Sequence, residues 1–65
     1  MDEYVIDEGP QQSFRYHGTV YIGYIRYYSN GDFDIEVYNP DDIAEQVDND
    51  VYEYAFTLFE DQGLI

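Results

Sequence analysis

Two runs of β-branched and aromatic residues, TVYIGYIRYY (residues 19–28) and FDIEVY (33–38), flank Ser29-Asn30-Gly31-Asp32. Asn-Gly between two such runs is the strongest short hairpin signal in a sequence, because both residues tolerate the positive φ of a tight two-residue turn. The stretch predicts an antiparallel hairpin with Asn30-Gly31 at its tip. In that register Ser29 faces Asp32, Tyr28 faces Phe33, Arg26 faces Ile35 and Tyr24 faces Val37. One face then collects Val20, Ile22, Tyr24, Tyr28, Phe33, Ile35 and Val37, with Arg26 among them, and is assigned to the core. The other collects Tyr21, Ile25, Tyr27 and Tyr38 beside Asp32, Asp34 and Glu36, so that aromatic rings sit among carboxylates.

The rest of the chain is read around this hairpin. Residues 1–11, MDEYVIDEGPQ, form either a flexible acidic arm or a short edge strand over Tyr4, Val5 and Ile6, ended by the Gly9-Pro10 breaker. SFRYH continues the β-rich composition, and His17-Gly18 reads as a turn or edge. Downstream, Asn39 is a good N-cap, Pro40 suits the first helical position, and Asp41-Asp42 place negative charge at the positive end of the dipole. Ala44, Val47, Val51, Tyr54 and Leu58, joined by Ile43, Ala55 and Phe59, make one apolar stripe at helical period. Gly63 suits the left-handed position past a helix end. Asp48-Asn49-Asp50 is weak helix sequence, and Asp50 with Glu53 offers a new capping box, so a break there competes with a continuous helix. The composition of VYEYAFTLF (51–59) would also serve a strand. The expected fold is a single α+β domain over residues 1–65. A small antiparallel sheet of two to four strands is covered on one face by a C-terminal helix or broken helix.

Charge restricts function more sharply than fold. Fifteen acids against two Arg, with no Lys, give a formal net charge of −13. Self-repulsion on that scale destabilises a compact state, and a chain of 65 residues buries only about 60% of its unfolded surface. Solubility alone asks for a net charge of about 2–8 in magnitude. The excess is explained by a cationic partner, by an acidic metal site, or by adaptation to a salt-rich cytoplasm in which surface charge is screened. Direct contact with DNA or RNA is excluded, because nothing here neutralises phosphates. The start MDEYVIDE carries acids where a signal peptide carries Lys or Arg, and no apolar run reaches membrane-spanning length. A soluble, complete, cytoplasmic protein without membrane partners is therefore expected.

Chemistry has few residues to work with. The chain holds one His, no Cys, and Ser only at 13 and 29, so no nucleophile–base pair is suggested and no enzyme is expected. The oxygen-rich clusters at 30–32 and 48–50 do not match the spacing of a calcium-binding loop, and neither metal nor cofactor is expected.

The carboxylates themselves form rows. Asp32, Asp34 and Glu36 alternate on a strand and lie about 6.6–6.8 Å apart. Asp41 and Glu45 lie about 6 Å apart if helical, with Asp48 extending the line, and Glu53, Glu60 and Asp61 fall away from the apolar stripe. Rows at these spacings approximate a phosphate track, whose charges repeat every ~3.4 Å of axis on each DNA strand while spiralling. Tyr21, Tyr27 and Tyr38 among the acids, with Tyr52 and Phe56 beside the stripe, supply flat amphipathic anchors of the kind enriched at interfaces. These residues together are the candidate partner-binding surface. The partner it suits is a basic nucleic-acid-binding protein.

A short, Lys-free, acidic, Tyr-rich chain of this type resembles the DNA-mimicking antidefence proteins of phages and plasmids, among them restriction inhibitors, anti-CRISPR proteins and uracil-DNA glycosylase inhibitors. More particularly, Tyr28-Ser29-Asn30-Gly31, Asp41-Asp42-Ile43 and Phe59-Glu60-Asp61-Gln62-Gly63 are similar to stretches in the N-terminal part of the ArdA antirestriction family. That family's Gly and Trp after the turn are replaced here by Phe33-Asp34-Ile35-Glu36. The resemblance implies a non-enzymatic inhibitor, acting in the cytoplasm of an infected bacterial host, that blocks the basic DNA site of a restriction enzyme or CRISPR effector. The ArdA likeness further implies a strand at 51–59. The alternative is a small regulatory or assembly protein, including a homodimer, that acts through its Tyr-rich surface, with charge serving solubility or salt adaptation.

Overall fold

A computed structural model describes residues 4–65. It contains four strands, β1 (Val5–Glu8), β2 (Gln12–Tyr16), β3 (Thr19–Tyr28) and β4 (Phe33–Tyr38), followed by one helix, α1 (Asn49–Asp61). All pairing is antiparallel and runs through β3. β4 lies along one side of it. β1 and β2 share the other side end to end, β2 beside Thr19–Gly23 and β1 beside Arg26–Tyr28. Gly9-Pro10 marks the join, and the Gly9 N–H still donates to Ile25 O at 2.7 Å. The acidic N-terminal stretch is thus an edge strand from Val5 onward, and α1 completes the α+β fold expected from sequence.

The two hairpins that share β3 close differently. His17 and Gly18 both have positive φ, 49° and 80°, and join Tyr16 to Thr19 in a two-residue turn. At the other end only Gly31 has positive φ (93°). Gly31 N–H donates to Tyr28 O at 3.1 Å, and Tyr28 N–H donates to Asp32 O at 2.9 Å. That is a three-residue loop, Ser29-Asn30-Gly31, with the glycine in the left-handed position that follows the turn. Asn30 stays out of that region, its side-chain oxygen accepting from Asp32 N–H at 3.0 Å.

One extra loop residue moves the register by one and turns β3 over relative to the sequence expectation. The observed pairs are Tyr27 with Phe33, Arg26 with Asp34, Ile25 with Ile35, Tyr24 with Glu36 and Gly23 with Val37. Tyr21, Gly23, Ile25 and Tyr27 therefore share the covered face with Phe33, Ile35 and Val37. Val20, Ile22, Tyr24, Arg26 and Tyr28 point the other way, as do Asp34, Glu36 and Tyr38. Placing Val20, Ile22, Tyr24 and Tyr28 in the core, and Tyr21, Ile25 and Tyr27 among the acids, is thereby corrected.

The core is Phe14 from β2, Ile25 from β3, Val37 from β4, and Val51, Ala55 and Phe59 from α1. The helical trio is spaced i, i+4, i+8, one stripe over the sheet. Phe59 lies over the centre of β3, where Gly23 makes room: a Cβ there would stand 3.1 Å from a Phe14 ring carbon and 3.4 Å from Phe59. A ring fully removed from water stabilises by about 1.5–3 kcal/mol, so Phe59 is a large contributor in so small a domain.

The helix is shorter than its apolar stripe suggested, beginning at the Asp48–Asp50 break and not at Asn39. Asn39 is buried, and its side-chain oxygen accepts from Asp41 N–H at 2.9 Å while its carbonyl accepts from Asp42 N–H at 3.1 Å. Its affinity for nearby backbone donors is spent on a turn instead of a cap. Ile43, in the expected stripe, is 77% exposed. The N-cap residue is Asp48, without a side-chain capping bond, so the Asp50–Glu53 capping box does not set the start. At the other end Gly63 (φ 77°) donates to Glu60 O at 3.0 Å and Leu64 to Phe59 O at 3.0 Å, the paired bonds of a Schellman termination. The strand implied over 51–59 by the ArdA likeness is replaced by this helix.

Candidate functional site

The register decides which carboxylates are free. On the open face of the sheet, the side away from α1, Arg26 stands directly across from Asp34. Its Nε donates to Asp34 Oδ1 at 3.1 Å and its Nη2 to Asp34 Oδ2 at 2.9 Å, a bidentate pair. Nη2 also reaches Glu36 Oε1 at 2.6 Å, and the Tyr28 hydroxyl donates to Asp34 Oδ2 at 2.6 Å. The guanidinium carbon lies 5.8 Å from the Tyr28 ring centroid, within reach of a cation–π contact. The hydrogen bonds from Arg26, reinforced by Tyr28, hold the Asp34 carboxyl below its usual range. The bond to Asp34 raises the Tyr28 phenol, and the same partner raises the Arg26 guanidinium further. Nearby, Tyr24 is raised by burial and then by Glu8 and Glu36.

This network changes the role of the row that the sequence singled out. Asp34 accepts three hydrogen bonds and Glu36 one, so both are tied within the sheet. Asp32 belongs to the turn, its carboxylate accepting from Asn30 Nδ2 at 2.9 Å. Tyr38 does stand on the open face, donating to Gln11 Oε1 at 3.1 Å. Tyr21 and Tyr27 do not; both pack against the core from the covered face, and Tyr21 lies against the Phe14 ring at 6.0 Å between centroids. The slip that misplaced them also hid the position of Arg26.

The other predicted acids lie elsewhere and differ in character. Asp41, Asp42, Glu45 and Asp48 are exposed along the β4–α1 connection, which is not helical but folded by backbone bonds such as Glu45 N–H to Asp42 O at 3.0 Å. Glu53, Glu60 and Asp61 are exposed on α1. Asp50, which sequence reasoning treated only as a capping residue, joins them. Along the helix axis Asp50, Glu53, Glu60 and Asp61 stand at roughly 0, 4.5, 15 and 16.5 Å. Residues 39–65 contain no Lys, Arg or His, and the ion pairs among the described residues are those of Arg26 with Asp34 and Glu36. Both arginines, Arg15 opposite Val20 and Arg26 opposite Asp34, lie on the open face of the sheet. Positive charge is thus confined to one side of the molecule, and the connection and helix present carboxylates alone.

A groove runs between β4 and the start of α1, lined by Phe33, Ile35, Asn49, Tyr52, Glu53 and Phe56. Phe33 and Phe56 are 42% and 40% exposed there, so apolar rings sit directly beside the acidic helix face. Of the aromatic anchors expected off the stripe, Phe56 is available in this way, and Tyr52 is half-buried with its hydroxyl donating to Val37 O at 3.3 Å. Among the described residues there is no group of three or more His, Cys, Asp or Glu side chains placed to hold a metal ion. No helix among them is long and apolar enough to cross a membrane. No family model, curated protein or solved structure matches the chain.

Proposed function

We propose that the protein is a non-enzymatic inhibitor that occupies the basic nucleic-acid site of another protein in place of phosphate. The observation that carries this reading is the unrelieved acidity of residues 39–65. Asp41, Asp42, Glu45, Asp48, Asp50, Glu53, Glu60 and Asp61 are exposed on a surface that contains no cation of its own. Repulsion among them costs folding stability, and a cationic groove would offset it. Phe33 and Phe56 at the margin of that surface supply apolar contact, and the field of a chain at −13 would steer a basic partner and speed its approach. A bacterial defence protein, either a restriction enzyme or a CRISPR effector, is the target class suggested by the resemblance to antidefence proteins.

The open face of the sheet favours a second reading. Ile22, Tyr24 and Tyr38 are only part-buried there, and no element among the described residues covers them, as suits a regulatory or assembly partner.

One experiment separates the two. A restriction enzyme or CRISPR effector is bound to duplex DNA and challenged with the wild-type protein and with a variant in which Asp41, Asp42, Glu45, Asp48, Asp50 and Glu53 become amides. Mimicry predicts that wild type displaces DNA, that displacement weakens as salt rises, and that the folded variant loses at least about tenfold in affinity, or ~1.4 kcal/mol. Inhibition unaffected by the six changes, with loss on altering Tyr24 and Tyr38, would move the interaction to the open face.

A further inference from the structure

The groove beside β4 contains more than exposed rings, because one edge of the sheet opens into it. Among the described residues β4 pairs only with β3, so every second backbone unit on its far side lacks a strand to bond there. The Tyr28 N–H to Asp32 O bond fixes which units these are. From that hydrogen-bonded pair the ladder alternates. Asp34, Glu36 and Tyr38 turn their N–H and C=O groups inward to β3, while Phe33, Ile35 and Val37 turn theirs outward. The bond from Tyr52 to Val37 O bears this out independently, since an inward carbonyl would be engaged with β3. Tyr52 therefore caps the edge at Val37. At Phe33 and Ile35 the outward backbone groups have no partner among the described residues.

We infer that the β4 edge at Phe33 and Ile35 is a docking site for an extended cationic segment of the partner, which adds to the sheet as a further strand. Strand addition draws affinity from main-chain hydrogen bonds and specificity from alternate side chains. Here alternate side chains of the added segment fall on two different surfaces. One set lies over Phe33 and Phe56 in the groove, and the other lies beside Asp34 and Glu36 on the open face. Glu53 stands at the groove and Asp32 at the end of the strand, so acids flank the edge on both sides. Natural edges are usually guarded by charged side chains, Pro or a bulge. β4, with sequence FDIEVY, has neither Pro nor bulge, and its charges are acidic, so they discourage an acidic strand and not a basic one. A second copy of the chain would match the backbone but would bring another net charge of −13 to an acidic edge. Charge therefore selects a segment that alternates apolar and basic residues. This inference rests on the reading of a cationic partner and adds the way that partner is gripped.

The test uses the full chain, isotope-labelled for amide detection, and a short peptide alternating valine and arginine. A second peptide has the same sequence but carries N-methyl groups on the backbone nitrogens of one edge. Strand addition predicts that the Phe33 and Ile35 amide protons shift most and exchange more slowly with the first peptide. It also predicts that the methylated peptide binds at least about tenfold more weakly, because it has lost main-chain hydrogen bonds to the edge. Phe33→Pro gives the same answer from the protein side. Its N–H points outward at the first position of an edge strand, where proline is accepted, so the sheet is retained and peptide binding falls beyond the loss in Phe33→Ala. Equal binding of both peptides, with shifts spread over 41–53, would overturn strand addition while leaving charge recognition standing. Failure of the unmethylated peptide to bind would overturn the docking site, and DNA displacement would still judge the proposed function separately.

Discussion

The two faces of β3 carry similar side chains and are stabilised in opposite ways. On the covered face Gly23 and Ile25 lie under Phe59 and Ala55, and stability comes from area removed from water. On the open face Tyr24, Arg26 and Tyr28 stay partly wet, and the ordering comes from directed bonds between Arg26, Asp34, Glu36 and Tyr28. The covered face would tolerate many apolar sequences. The open face accepts one register only, because a slip of a single residue would carry Arg26 beneath the helix and strip its charge of water and of partners. In a chain with only two arginines, placing one at the middle of the central strand makes charge a device for specifying pairing.

Breaking the covered face has the largest expected effect. Phe59→Ala leaves a void against Gly23, Phe14 and Ala55 and costs about 3–5 kcal/mol. A core in a domain this size rarely supplies more than about 3–5 kcal/mol in total, so the variant should be largely unfolded at room temperature. Loss of amide dispersion and of far-ultraviolet circular dichroism checks it. A cooperative fold retained with a modestly lowered midpoint would show that Phe59 is not the keystone of this layer.

Breaking the open face costs less but removes specificity. Arg26→Met keeps the length of the side chain and leaves Asp34 and Glu36 facing each other without a cation. A loss on the order of 1 kcal/mol is expected, the upper end for partly exposed ion pairs. The distinguishing result is heterogeneity, with a second set of amide signals from β4 as the slipped register becomes competitive. A single set of signals would show that the covered face alone fixes the pairing.

Much of this arrangement was legible in the sequence, and the failures have physical causes. The hairpin, the helical layer and the stop at Gly63 follow from turn chemistry and apolar period. Which face of β3 is buried does not. Val20, Ile22 and Tyr24 on one side match Tyr21, Ile25 and Tyr27 on the other, so alternation carries no information and loop length decides. Loop length in turn rests on whether Asn30 adopts positive φ or folds its side chain onto Asp32 N–H, and local sequence permits both. The helix start was misplaced for a related reason. Asn39-Pro40 suits a cap, yet residues 39–48 are used to turn the chain from the edge of the sheet to the covering layer. The acidic surface was legible as composition and only partly as geometry. Asp34 and Glu36 looked free until the register set Arg26 beside them, while the acids of 41–53 kept their exposure despite losing their expected helix.

Acid sharpens the same contrast by a smaller amount. The folded state holds the Asp34 carboxyl below its ordinary value, so the contribution of the pair is present above the unfolded value, about 3.9. It is lost as pH falls through the lower folded value. The advantage of wild type over Arg26→Met, read from urea midpoints, should be constant from neutral pH to about pH 5 and should close below that. Tyr28, raised by its bond to Asp34, acts at the other end. Its bond is present below the ordinary phenol value of about 10 and is lost as pH rises through the folded one. A gap between the two proteins that did not change with acid would mean that Arg26 acts through packing alone.

The smallest expected effect comes from deleting Ser29, and it tests the origin of the two faces most directly. Deletion leaves Asn30-Gly31 as a two-residue loop between Tyr28 and Asp32, the length the sequence first suggests. Tyr28 still pairs with Asp32, however, so Arg26 still meets Asp34 and neither face exchanges. The deletion removes the Ser29 N–H bond to Tyr4 O at 2.9 Å, which anchors the start of β1, and the longer contact from Tyr4 N–H to Ser29 Oγ at 3.4 Å. Against that loss, Asn-Gly gains the tight turn for which it is best suited. With exposed bonds at the weak end of ~0.5–1.5 kcal/mol, the two changes should cancel to within about half a kcal/mol. Close Hα–Hα contact between Ile25 and Ile35, the mark of a non-hydrogen-bonded pair, should persist. A shift that instead pairs Arg26 with Ile35 would leave Asn30-Gly31-Asp32 as a three-residue loop, and would show that the preferred length of the loop outweighs the pairing of Arg26 with Asp34 in assigning the faces.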